Sequence, residues 1–225
     1  RDALKLVTKD RTKISWTPNL LRDLELGRSI EIDAHAAMVS LYRPFSPQWL
    51  YADKKLVWSR YQMPSFLPSG VETNRVMIVH GPGESLPFST LMVSVTPDVH
   101  LLHGGQCFPL YVYDNADDAG EAGLFSGSSD GRSAASGVSS EGLAAARAAY
   151  PTESIEAEDL FYYIYGLLHS VDYRKRFADS LNKELPRIPF VRTAEDFWRF
   201  SSEGKKLSDL HVGFDLPDAQ RQQIL

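Results

Sequence analysis

Residues 114–142 read DNADDAGEAGLFSGSSDGRSAASGVSSEG, and this stretch limits the chain's possible folds more than any other. It is almost wholly Gly, Ser, Ala and Asp. Two adjacent large apolar residues, Leu124 and Phe125, are nearly all it could bury. Such a segment cannot offset its own ordering entropy, so the expectation is an unstructured acidic loop over 114–150. The rest must fold as a part before the loop, 1–113, and a part after it, 151–225.

The two parts differ in texture. After a first helix, 1–113 is built from short aromatic and β-branched runs: SLYRPF, QWLYAD, KLVWSRY, RVMIVHG, FSTLMVSV and FPLYVYD. Pro or Gly stands in most gaps, the pattern of a sheet of short strands. In the first helix, TPNLLRDLELG, Thr17 is the expected N-cap, Pro18 the first helical residue and Gly27 the residue past the end. Residues 151–225 read as helices. Glu158 and Asp159 suit the first turn of AEDLFYYIYGLLHS, where the helix dipole favours acids. Leu160, Ile164, Leu167 and Leu168 form its apolar stripe. Ser170 is the expected cap of a second helix, with Tyr173, Phe177, Leu181 and Leu185 on one face and Arg174, Lys175 and Lys183 pointing elsewhere. Pro186 is expected to end that helix, and Pro189 to hold the following residues extended. A third helix is expected from about Thr193, carrying Phe197, Phe200, Leu207 and Leu210. The fold class is therefore α+β: a short-stranded mixed or antiparallel sheet part, a disordered acidic loop, and a helical part packed on the first.

Charge is distributed as unevenly as composition. The net charge is −5, but 1–113 carries +2, 114–159 carries −8 and 160–225 carries +1. The acidity of the loop therefore masks nearly balanced folded parts, and net charge does not exclude an anionic partner. No apolar run approaches the roughly 18 residues of a membrane span. One cysteine, Cys107, permits no internal disulfide and fits a reducing cytoplasm. The chain opens on Arg1, with no signal peptide, and is expected to be a piece of a longer polypeptide.

Five stretches in order, KISWTPNLLRDL, LYRPFSPQWLYAD, QCFPLYVY, FYYIYGLLHSVDYRKRF and KELPRIPF, resemble the C-terminal specificity domain of type ISP restriction–modification enzymes. The resemblance spans roughly residues 8 to 213. Val171 departs from it, standing where a proline is usual after LLHS, and the 114–150 loop has no counterpart in it. The family joins a nuclease, a helicase-type motor, an adenine-N6 methyltransferase and a target recognition domain in one chain. The resemblance implies that this chain recognises double-stranded DNA sequence-specifically and performs no chemistry itself. S-adenosylmethionine, ATP and Mg2+ would belong to the methyltransferase and motor domains of the same polypeptide. LPRIPF would be a rigid strap along a domain interface. The alternative is a coupling module that packs on the methyltransferase or motor without reading bases.

The chain's short motifs offer no catalyst. GSSDG at 127–131 matches the nucleophile pattern G-x-S-x-G but lacks the buried strand that must precede it. HLLH at 100–103 has no third ligand near it in sequence, so core or hydrogen-bonding histidines are expected. His169 reads as a cation at a helix C-terminus. HGPGES at 80–85 lacks the lysine and helix of a phosphate loop and reads as a turn. No catalytic or metal-binding residue is assigned. The candidates for DNA contact are cations among aromatics: Lys9, Arg11 and Lys13 before the first helix, then Arg43, Lys54, Lys55, Arg60 and Arg75. Arg43, Lys54, Lys55 and Arg60 lie among Tyr42, Trp49, Tyr51, Trp58 and Tyr61. Lys54 and Lys55 are the expected phosphate contacts, and Arg60 and Arg75 the expected base readers, because guanidinium forks match guanine edges. YRPF itself reads as structural, with its arginine anchored and Pro44 turning the chain.

Overall fold

A computed structural model describes residues 10, 16–29, 31, 33, 36–53, 55–57, 59–68, 74–83, 86–114 and 134–214. Its centre is a small antiparallel sheet. Strand β3 (Val76–Val79) lies between β4 (Thr90–Val93) and β6 (Gln106–Pro109). Every residue of β3 and β4 is buried, so this sheet is covered on both faces. The period of two sorts VMIV between two cores. Met77 and Val79 of β3, with Met92 of β4, face the helical core. Val76 and Ile78, with Leu91 and Val93, face a second core that holds Leu41, Phe66, Leu67, Leu101 and Leu102.

The second core lies under a hairpin. Strands β1 (Ala37–Arg43) and β2 (Ser46–Tyr51) pair antiparallel, Val39 opposite Trp49 and Met38 opposite Leu50. A two-residue strand, β5 (Thr96–Pro97), pairs parallel to β1. Helix α1 (Pro18–Glu25) precedes the hairpin; the Thr17 hydroxyl accepts from the Leu20 N–H, and Gly27 takes φ +65° past its end. Short helix α2 (Met63–Phe66) closes one end of the core. Asn74, fully buried, ties these pieces together: its amide donates to the carbonyls of Phe66 (2.6 Å) and Tyr111 (2.7 Å), and its oxygen accepts from the N–H groups of Arg75 and Tyr111.

The expected loop over 114–150 needs correction where it is described. Ala134–Ser136 forms β8, paired antiparallel with β7 (Tyr111–Tyr113), and Ser140–Ala149 forms helix α3 under a Ser139 cap. Composition conceals both, because Ser-Ala-Gly runs resemble disorder. Strand β7 supplies the pairing partner, and LAAARAA has high helix propensity. The GSSDG motif and residues 115–133 lie outside the described residues.

The helical layer is α4 (Ala157–His169), α5 (Val171–Arg176), α6 (Ala178–Leu181) and α7 (Ala194–Val212). Ser170 caps α5 as expected, and Thr193, near the expected start of the third helix, caps α7. α4 and α7 cross at two glycines. A Cβ on Gly166 would strike the Phe200 carbonyl, and one on Gly204 the Tyr162 carbonyl. Removing both Cβ atoms brings the backbones into contact, as small residues do at close helix crossings. The Ser201 hydroxyl donates across the pair to the Asp159 carbonyl at 2.9 Å. α4 is buried nearly all round, Phe161, Tyr162, Tyr163 and Tyr165 joining Leu160, Leu167 and Leu168, while Ile164 is only half-buried.

The expected second helix breaks at Phe177, which caps α5 and precedes α6, and the helical segment ends at Leu181 rather than at Pro186. The break turns the chain into the strap 186–192. Tyr163 donates to the Pro189 carbonyl (2.6 Å), Tyr173 to that of Arg187 (2.8 Å) and Tyr150 to that of Val191 (2.7 Å). The strap therefore clasps the helical layer itself. Arg174 does not point away: its Nε donates to the Leu168 carbonyl at 2.6 Å and its guanidinium lies over Phe88.

Candidate nucleic-acid interface

The β1–β2 hairpin places its residues by alternation. Met38, Ser40 and Leu50 face a cleft of about 1,210 Å³ between the hairpin, α2 and the edge strand β6. Val39 and Trp49, opposite each other in the register, face outward, and Trp49 is 78% exposed. Tyr42 and Phe45 at the hairpin tip are also exposed. Phe45 takes a left-handed conformation, φ +59°, which seats its ring edge-on against His211 and Phe214 at the end of α7. The YRPF turn is thus a tether between hairpin and helical layer, as a structural reading requires.

The candidate cations do not form one cluster. Arg43 stacks on Tyr42 at 4.0 Å, donates to the Tyr42 carbonyl and faces Asp98 at 3.6 Å, so it is anchored yet half-exposed. Lys55 is exposed in the turn after β2, where Asp53 accepts from the Lys55 N–H. Arg60 lines the cleft beside Tyr61 and Gln62. Arg75 turns to α7 and faces Asp209 at 3.4 Å, and its Nε is buried with no partner among the described residues. Lys9, Arg11, Lys13, Lys54 and the Trp58 ring lie outside the described residues.

The histidines also correct the sequence reading. His100 and His103 are exposed, and the buried residues of HLLH are the two leucines between them. His80 is the buried histidine of this region. His169 is no cation: burial, then Arg174 and His211, push it down to about 4, so it is neutral near pH 7. Tyr165 links it to the sheet, accepting from the Met92 N–H at 2.9 Å and hydrogen-bonding to His211. Burial also pushes the Cys107 thiol in the cleft wall up to about 11, which leaves little thiolate and an inert side chain. Among the described residues no group of three potential ligands could hold a metal ion, and no helix is long and apolar enough to cross a membrane. Within HGPGES, Pro82 and Gly83 form a turn, and Glu84 and Ser85 lie outside the described residues.

An α+β layered module with an exposed aromatic hairpin has a surface suited to recognition. The match to known proteins makes that specific. The family model of the type ISP C-terminal specificity domain matches residues 1–224, and the chain belongs to that family. Three solved structures share the fold. A DrdV–DNA complex determined by cryo-electron microscopy superposes with a TM-score of 0.76 at 32% identity, over 89% of this chain and 18% of that one. The ATP-dependent type ISP restriction–modification enzyme LlaBIII bound to DNA gives 0.72 and 32%, over 91% and 12%. A nuclease-deletion mutant of the type ISP enzyme LlaGI, in complex with a DNA substrate mimic, gives 0.68 and 29%, over 94% and 17%. The chain spans less than a fifth of the length of each. A comparison with curated proteins gave no match.

Proposed function

We propose that this chain is a sequence-specific double-stranded DNA recognition module. It would serve a longer polypeptide in which adenine-N6 methyltransferase, motor and nuclease activities, with their S-adenosylmethionine, ATP and Mg2+, reside elsewhere. A cytoplasmic location follows from that role. The observation that carries the reading is membership of a specificity-domain family, together with an outward hairpin pair, Val39 opposite Trp49, of which Trp49 stands largely exposed. Lys55, exposed in the turn after β2, and Arg43, half-exposed at the hairpin tip, suit phosphate, which positions a protein without reading sequence. Lys54, next to Lys55, is proposed for the same role, and Lys9, Arg11 and Lys13 for a further backbone contact. Arg60, which lines the cleft, and Arg75, which Asp209 faces, are the proposed base readers.

The test is binding of the full-length protein to its cognate site and to scrambled duplex across a salt series. Lys54→Ala and Lys55→Ala should weaken both duplexes alike and each flatten the salt slope by about one unit. Unchanged affinities after removal of Arg43, Lys54, Lys55 and Arg60 together would move the reading face elsewhere and favour the coupling module.

A further inference from the structure

The turn Ser59–Gln62 holds two features that folding alone leaves without a purpose. Tyr61 takes φ +47°, a left-handed conformation that is costly for a residue with a bulky side chain. Phe45, in the same conformation, gains ring contacts for that strain. Tyr61 does not: its side chain stands 74% exposed, and its ring meets no other aromatic ring among the described residues. Gln62 follows at the N-cap position of α2, yet its side chain makes no capping hydrogen bond, leaving a full amide fork exposed. The turn is held from below. The Ser59 hydroxyl accepts from the Tyr61 N–H at 3.3 Å, and the Arg60 carbonyl accepts from the Met63 N–H at 3.1 Å. Three consecutive side chains, Arg60, Tyr61 and Gln62, thus line the large cleft. Asp33, Asp53 and Asp98 line the same cleft, and their carboxylates repel phosphate. Tyr61 and Gln62, exposed and uncharged, are therefore lining side chains that can approach a duplex.

We propose that this turn is a base-reading finger. Gln62 hydrogen-bonds an adenine edge in the major groove, for which a glutamine amide is matched in donor and acceptor. Tyr61 packs its ring against the neighbouring base or thymine methyl, held there by the left-handed backbone. This rests on the reading of the chain as a DNA recognition module and adds two specificity-determining residues to it.

The experiment is selection from a randomised duplex pool by the full-length protein, followed by binding to the selected site and to each of its single base-pair variants. Failure of the unaltered protein to enrich any motif would overturn the recognition reading itself. If it does enrich a motif, Gln62→Ala should relax one A·T position and lose about tenfold on the selected site, with scrambled duplex affected less than twofold. Tyr61→Gly should reduce discrimination next to that position while leaving the melting temperature equal or higher, because glycine relieves the strain. An unchanged motif in both variants, or an equal loss on selected and scrambled duplexes, would overturn the finger while leaving DNA recognition intact. So would a Tyr61→Gly protein that melts lower and keeps its motif.

Discussion

Two buried side chains set conditions that exposed ones do not. His169 titrates near pH 4 in the folded chain against about 6.5 when unperturbed. Between those values the unfolded chain binds a proton that the folded chain refuses, so stability is full above about pH 6.5 and falls as pH drops toward 4. His211, also lowered by burial, acts in the same direction. The melting temperature should fall over that window, and His169→Gln should flatten the fall; a flat profile in the unaltered protein would refute it. Asn74 is the second case. Asn74→Leu would strip partners from the carbonyls of Phe66 and Tyr111 and the N–H groups of Arg75 and Tyr111. A loss of about 3 kcal/mol or more is expected by urea denaturation, since the fully buried Phe66 carbonyl alone costs about 1–3 kcal/mol when orphaned and the three part-buried groups add to it. Nothing in the sequence marks Asn74, because its partners lie as far away as residue 111. Gln62 is equally silent there: only the structure shows its amide left unused beside a strained tyrosine.

Helix starts were the most legible elements, because caps are local chemistry: Thr17, Ser170 and Thr193 each bond an N–H three residues ahead. Strand β3 was legible from its apolar run. Strand β8 and α3 were not, since an Ala-Ser edge strand owes its existence to β7. The break at Phe177 was hidden by a four-residue periodicity that a continuous helix would also produce. The α4–α7 crossing carries its own prediction. Gly204→Ala would gain about 1 kcal/mol of helix propensity. It would also press a methyl into the Tyr162 carbonyl, and overpacking costs about 1–3 kcal/mol. Thermal denaturation should show a net loss, whereas a stabilised variant would mean that the two helices part without penalty.

The whole molecule has two unlike sides: an aromatic hairpin face on one, a helical layer with exposed Lys175 and Arg176 on the other. If recognition belongs to the first, Trp49→Ala should weaken duplex binding severalfold at unchanged melting temperature, and Lys175→Ala with Arg176→Ala should change it less than twofold. The reverse pattern in the same binding assay would exchange the roles of the sides. Overall architecture and family were legible from five ordered stretches, but the interior arrangement was not, because sequence spacing cannot say which faces meet across a sheet. The strap at 186–192 bears on how such a chain can diverge. Its three fastenings are tyrosine hydroxyls on main-chain carbonyls, so they address the path of the segment and not the identity of its side chains. Arg187 and Pro189 present outward from a line fixed at those three points. An exchange at Arg187, whose ion pair is with nearby Glu184, would leave those fastenings in place, whereas one at Tyr150, Tyr163 or Tyr173 would remove one, which makes the strap a place where surface chemistry can change without reshaping the layer beneath.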